Sequence, residues 1–427
     1  MSLARGIYSA LWYGLTPFFI GRALWRSIKV PQQRERLGER LGFVPPRLST
    51  RPCIWLHAVS VGETIAAKPL IEALLTTYPD HDLWITSTTL TGSQTVQRLF
   101  KDRVQASYMP YDLPDAISRF LQRVKPHLVL IMETVLWPNL YAHCAKHSIP
   151  IALLNARLSP KSFKGYQTLN VLTKPTLQHI NLIAARSPQD AEYFKQLGAN
   201  ADRVQVAGNI KFDLNLPSEL AEVGNALRQS WGSERPVWVA ASTHAGEDEI
   251  ILQVFQNLKA QYATLLLILV PRHPERFNAV AELAHSTTFN VVRRSTQAAL
   301  SPQTDIIVGD TMGELLRWYA AADVAFIGGS LIPQGGHNPL EATALSVAVI
   351  SGDQIHNFAD IYPPLMAAGG AVLVRNAQEL EQQVLRWLDN PEQRQHAGQA
   401  GFYWLQPQRG VVKRLMQGIE EVKHGTN

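Results

Sequence analysis

The sequence predicts an α/β protein of two doubly wound, parallel-sheet domains facing a central cleft, with a membrane-associating segment ahead of them. Three observations carry that expectation. The chain has 427 residues, close to three times a common domain length of about 150, which is too long for one ordinary core. An apolar content of 46%, a charged content of 18% and ten tryptophans supply core material and exclude a disordered chain. From residue 52 onward, short apolar runs alternate with helical patterns, as βαβ units do.

The first element is set apart by charge. Residues 1–42 carry seven basic side chains (Arg5, Arg22, Arg26, Lys29, Arg34, Arg36, Arg40) against Glu35 and Glu39, an excess equal to the net +5 of the whole chain. The rest is balanced, which argues against a nucleic-acid surface and for a terminal segment with its own partner. Sixteen uncharged residues, 6–21, include Ile7, Leu11, Trp12, Leu15, Phe18 and Phe19. They fall short of the roughly 20 needed to span a bilayer and contain Pro17, so the expected element dips into the membrane rather than crossing it. The flanking basic residues would meet anionic lipid on the cytoplasmic side. The bland alternative is an amphipathic helix packed on the body.

Next come two series of apolar runs. The first comprises 54–59, 83–86, 104–108, 128–132, 151–155 and 182–185. The second comprises 237–241, 265–270, 305–308, 324–327, 347–350 and 371–374. Continuous runs of this length fit strands covered on both faces. The polar stretch 211–218 reads as the linker. The expected domains are therefore 43–213 and 214–427, with the last helix free to pack back on the first domain. Sheets of this kind bind ligands at the carboxyl ends of their strands, so the cleft should hold the site.

Several classes are excluded. Cys53 and Cys144 lack metal spacing and are too few for a disulfide framework. No two glycines are separated by one residue, which removes the dinucleotide fingerprint, and no phosphate-binding P-loop occurs. Asp80-His81-Asp82 reads as a solvated turn, and no metal is expected.

The strand ends carry the chemistry. Ser60-Val61-Gly62-Glu63 opens a helix, where the positive dipole end favours a carboxylate and suits a general base; an acidic first turn is also ordinary helix chemistry. Glu133 ends another strand, facing either the cleft or a structural partner. Arg157, Lys161 and Lys164 follow a third strand, where surface solvation competes with anion binding. In the second series, Pro271-Arg272-His273-Pro274 offers a guanidinium to phosphate, and Met312-Gly313-Glu314 turns into a helix. The pairs Gly328-Gly329 and Gly335-Gly336 precede Asn338-Pro339-Leu340-Glu341. There Asn338 fits N-cap, Pro339 N1 and Glu341 N3, which capping alone explains. Two glycines before a helix also form an anion cradle, and a nearby glutamate could bind a ribose diol, so a nucleotide site is expected there.

Together with Leu136-Trp137-Pro138 and Gly208-Asn209-Ile210-Lys211-Phe212-Asp213, these motifs make the chain resemble, nearly end to end, the 3-deoxy-D-manno-octulosonic acid (Kdo) transferases of lipopolysaccharide synthesis. The resemblance implies a GT-B fold and transfer from CMP-Kdo to a lipid A precursor. It also implies inversion at the anomeric centre, and neither cofactor nor metal. By motif it gives Glu63 as proton acceptor and Glu133 and Lys211 as transition-state supports. Pro271, Arg272, Met312, Gly313, Glu314, Asn338, Pro339, Leu340 and Glu341 would hold CMP. The partners it implies are the donor, the lipid acceptor and anionic inner-membrane lipid. Competing readings are a UDP-sugar transferase or epimerase of the same fold, separable by CMP against UDP competition, and a tethered nucleotide-binding scaffold without turnover.

Overall fold

The computed structural model describes residues 2–27, 36–298 and 300–425. Lys29, Arg34 and Glu35 of the basic N-terminal segment lie outside the described residues. The chain divides into two compact units, one of residues 1–213 with 410–427 and one of residues 214–409.

The first unit is built on a seven-stranded parallel sheet. Its strands are β1 (Cys53–His57), β2 (Asp82–Ser87), β3 (Gln105–Tyr108), β4 (Leu128–Met132), β5 (Ile151–Ala156), β6 (Leu182–Ala185) and β7 (Val204–Val206). Their order is β3-β2-β1-β4-β5-β6-β7. Strands β1, β4 and β5 are buried along their whole length, because helices cover both faces. Leu56, Leu130 and Leu154 belong to one core layer, Trp55, Val129 and Leu153 to the other. The C-terminal helix Val411–His424 belongs to this unit. Val411, Leu415 and Ile419 enter the first layer, and Gly418 lies so close to Leu182 that a Cβ would stand 2.7 Å from its Cδ2.

The second unit repeats the plan. Strands β8 (Val237–Thr243), β9 (Leu266–Pro271), β10 (Val291–Arg293), β11 (Ile306–Val308), β12 (Val324–Ile327), β13 (Ala348–Gly352) and β14 (Ala371–Val374) form a parallel sheet in the order β10-β11-β9-β8-β12-β13-β14. In each sheet the order reverses at one point, between β1 and β4 and between β8 and β12, the place where sheets of this kind bind their ligands.

The N-terminal helix α1 (Leu3–Ser27) contains Pro17 and docks on the first unit by one face. Tyr8 Oη donates to Asp112 Oδ2 at 3.0 Å, Tyr13 Oη to Asp115 Oδ1 at 2.7 Å, and Trp12 stacks on Tyr111. Its other face leaves Leu3, Ile7, Leu11, Leu15 and Phe18 exposed, a stripe at helical spacing. No described helix is long and apolar enough to cross a membrane. One local expectation is corrected: Asp82 is not part of a solvated turn but opens β2, with Oδ2 2.7 Å from Arg47 Nη1.

Candidate active site

Glu63 occupies the first turn of α2 (Val61–Thr77), whose N-cap is Ser60. Its carboxylate turns back over the helix start: Oε2 accepts the Val59 N–H at 2.8 Å and Oε1 the Ser60 hydroxyl at 3.3 Å. This is a capping-box geometry reaching one residue further back. The helix start alone does not set the protonation of this carboxyl. Burial raises the Glu63 pKa from 4.5 to about 7, and the negative charge of Glu133 adds to the rise, against the hydrogen bonds from Val59 and Ser60. Desolvation of the charged form thus outweighs the hydrogen bonds that favour it.

Glu133 leaves β4 in left-handed backbone, φ 57°, its amide donating to Leu154 O at 2.8 Å. A non-glycine residue in that region costs about 1–3 kcal/mol and clusters at functional sites. Because β1 and β4 are sheet neighbours, the two strand-end carboxylates come together. Lys211 sits in the 3₁₀ turn Ile210–Phe212. At the end of β5, Asn155 also has positive φ, 53°, and its Oδ1 accepts the Ile210 N–H at 3.0 Å while Asn209 Oδ1 accepts that of Lys211 at 3.1 Å. Asp213 closes the turn by accepting the Gly410 N–H at 2.6 Å. Glu63, Glu133 and the Lys211 turn therefore share the carboxyl edge of one sheet, whereas Lys161 and Lys164 stand exposed on the helix Pro160–Thr168.

In the second unit, Pro271 ends β9 and the Arg272 amide donates to Thr243 O at 3.0 Å. Burial raises the Glu341 pKa, and the Arg272 charge opposes the rise. Met312 is exposed and Gly313 has φ 85°. Glu314 is held by Arg294 through two contacts of 2.9 Å and by Arg317 at 2.6 Å; the Arg294 hydrogen bonds lower its pKa.

Two sequence expectations for the glycine-rich region are corrected. The helix begins one residue late, at Leu340, and ends at Ala344 with Pro339 as its cap. Asn338 Oδ1 accepts the Leu340 N–H at 3.1 Å, an Asx turn two residues long that shifts the start and leaves Glu341 at N2. The glycines are not an open anion cradle either. The Gly336 amide donates to Gly329 O at 2.7 Å. The amides of Gly329, Ser330 and Leu331 converge at 2.7, 2.9 and 3.0 Å on Glu247, which is fully buried. The protein's own carboxylate fills that nest and fixes the loop.

Sequence reasoning missed Glu247 and a histidine cluster beside it. His244 and His337 approach through their Nε2 atoms at 2.8 Å, with His273 edge-on to His244. Burial and the neighbouring Arg272 charge lower the His337 pKa to about 4, so it is neutral at pH 7. Among the described residues no group of three or more His, Cys, Asp or Glu is placed to hold a metal ion.

Two doubly wound parallel-sheet units of this order are the architecture of the GT-B glycosyltransferases. Residues 35–214 match the family described as 3-deoxy-D-manno-octulosonic-acid transferase (kdotransferase), and residues 234–404 match glycosyl transferases group 1. The chain is 43% identical to a 3-deoxy-D-manno-octulosonic acid transferase of Haemophilus influenzae over 91% of its own length and 92% of the relative's. It is 35% identical to that of Bordetella pertussis over 98% and 99%. The chain belongs to the 3-deoxy-D-manno-octulosonic acid transferase family. Its fold is also that of UDP-GlcNAc 2-epimerase from Neisseria meningitidis, with TM-score 0.56 at 15% identity over 86% of this chain and 100% of that one.

Proposed function

We propose that this protein transfers Kdo from CMP-Kdo to a lipid A precursor, with inversion at the anomeric carbon, in lipopolysaccharide biosynthesis. The observation that carries the reading is the Glu63 carboxyl, half-buried and within the influence of the Glu133 charge, with its pKa raised to about 7: a base poised near neutral pH can take a proton and release it again. In the proposed step an acceptor hydroxyl gives its proton to Glu63 as its oxygen bonds to the anomeric carbon of Kdo. The bond from that carbon to the phosphate oxygen breaks, and CMP leaves with the electron pair. Glu133 and Lys211 support the charge that develops, and the cation of Arg272 meets the departing phosphate. Pro271, Met312, Gly313, Glu314 and Asn338, Pro339, Leu340 and Glu341 complete the CMP site.

The exposed stripe of α1 supports peripheral attachment to the cytoplasmic face of the bacterial inner membrane, with anionic lipid as partner. Incubating the full chain with CMP-Kdo and a detergent-dispersed lipid A precursor tests the function. Release of CMP coupled to a Kdo-bearing lipid is the expected result, and CMP release without lipid product would refute transfer.

A further inference from the structure

Arg40 is a cation outside the motifs that carry the family resemblance above. It lies in the 3₁₀ turn Leu37–Leu41 and is half-buried. Its neighbour Arg36 is paired with Glu39, through contacts of 2.8 and 3.0 Å, and Glu39 also accepts the Tyr108 amide at 2.7 Å. Arg40 has no such partner: among the described residues it forms no ion pair. Its guanidinium lies 4.5 Å from the Tyr108 ring centroid and 5.9 Å from that of Tyr111, and Nη2 donates to Thr88 O at 2.8 Å. A guanidinium carries five N–H donors, so among the described residues most of its hydrogen-bonding capacity is open to an anion.

Its position gives that anion a context. The Thr88 amide donates to Val59 O at 3.1 Å, and the Val59 amide is the one that holds Glu63. Arg40 is therefore three hydrogen bonds from the Glu63 carboxylate along a rigid strand-end path. On the other side Tyr111 stacks on Trp12 and meets Phe19 of α1, the helix whose far face carries the exposed apolar stripe. Apolar helix, guanidinium and base thus follow one another within a single unit, the order in which an amphiphile presents acyl chains, charged headgroup and reacting hydroxyl. We propose that Arg40 binds a phosphate group carried by the lipid acceptor, a site that rests on the transfer reaction proposed above. Planar, bidentate recognition of phosphate suits this residue type.

The test uses the full chain, CMP-Kdo, and two detergent-dispersed acceptors, a phosphorylated lipid A precursor and the same lipid after phosphatase treatment. Wild-type protein should have an acceptor KM about tenfold or more lower for the phosphorylated lipid, and Arg40→Gln should lose that preference, as expected for one charge-assisted contact. The KM for CMP-Kdo should stay unchanged. Arg40→Lys, which keeps the charge but not the fork, should retain part of the preference. Inorganic phosphate at millimolar concentration should leave the acceptor KM unchanged; inhibition that Arg40→Gln abolishes would mean a free-ion site and overturn the headgroup assignment. Equal losses on both lipids would make Arg40 a structural tether of the Thr88 loop and overturn the site, as would a wild type indifferent to the phosphate. If Arg40→Gln fails to fold, the wild-type and Arg40→Lys preferences decide. Wild-type protein that modifies neither lipid would overturn the transfer reaction itself, an outcome distinct from all of these.

Discussion

At the scale of the residue, Glu63 combines two opposed influences. Two hydrogen bonds favour its carboxylate, and burial, with the charge of Glu133 adding to it, disfavours it more. Because the reaction needs the deprotonated form, kcat should rise with pH through about 7 and level off above it; a rate flat from pH 5 to 9 would contradict the assignment. Glu63→Gln should bind CMP normally and lose transfer by about 100-fold or more, as removal of a general base does. The same residue makes a stability prediction of definite sign. A carboxyl whose folded pKa lies above its unfolded value binds more protons when folded, so stability falls as pH rises from about 4.5 through about 7. Glu63→Gln should then melt higher than wild type at pH 8 and lose that advantage near pH 4.5, which differential scanning calorimetry would show. In the other unit, Arg272→Ala should weaken CMP by about tenfold or more while leaving cytidine nearly unaffected, since the guanidinium is assigned to phosphate; equal losses in calorimetric titration would refute that role.

At the scale of the element, the loop after β12 and helix α1 show what a local sequence pattern can and cannot convey. Gly328-Gly329 and Gly335-Gly336 announce a sharp turn, yet nothing near them reveals that Glu247, more than 80 positions earlier, supplies the anion. Glu247→Ala would leave four backbone amides, those of His244, Gly329, Ser330 and Leu331, without their acceptor, at about 1–3 kcal/mol each. The expected outcome is a large fall in the melting temperature of the protein and loss of CMP binding, checked by thermal melts with and without CMP. For α1, the apolar run was legible but its division into two faces was not. That division depends on Asp112 and Tyr111, which lie about 100 residues away. Replacing Ile7, Leu11 and Phe18 by Gln spares the docked face. It should release the protein from anionic vesicles in a sedimentation assay, each side chain forfeiting about 1.5–3 kcal/mol of insertion, while transfer to detergent-dispersed acceptor persists.

At the scale of the whole molecule, two sheets of the same handed plan place their functional loops at corresponding edges. Long apolar strands were readable because burial on both faces writes a continuous run, as in 128–132 and 324–327. The three-residue edge strands Val204–Val206 and Val291–Arg293 left no such run. The strand-end positions of Glu63, Glu133 and Arg272 were likewise readable, since strand and helix signals bracket them. The elevated Glu63 pKa, the His244–His337 pair and the lone charge of Arg40 arise only from long-range packing. The central claim is that the protein carries out one group transfer from a cytidine nucleotide to a lipid, and mass spectrometry of the lipid tests it most directly. After incubation with CMP-Kdo, the lipid A precursor should gain mass in whole Kdo residues with wild-type protein and not with Glu63→Gln. A lipid unchanged by CMP-Kdo but glycosylated from a UDP-sugar would contradict the account.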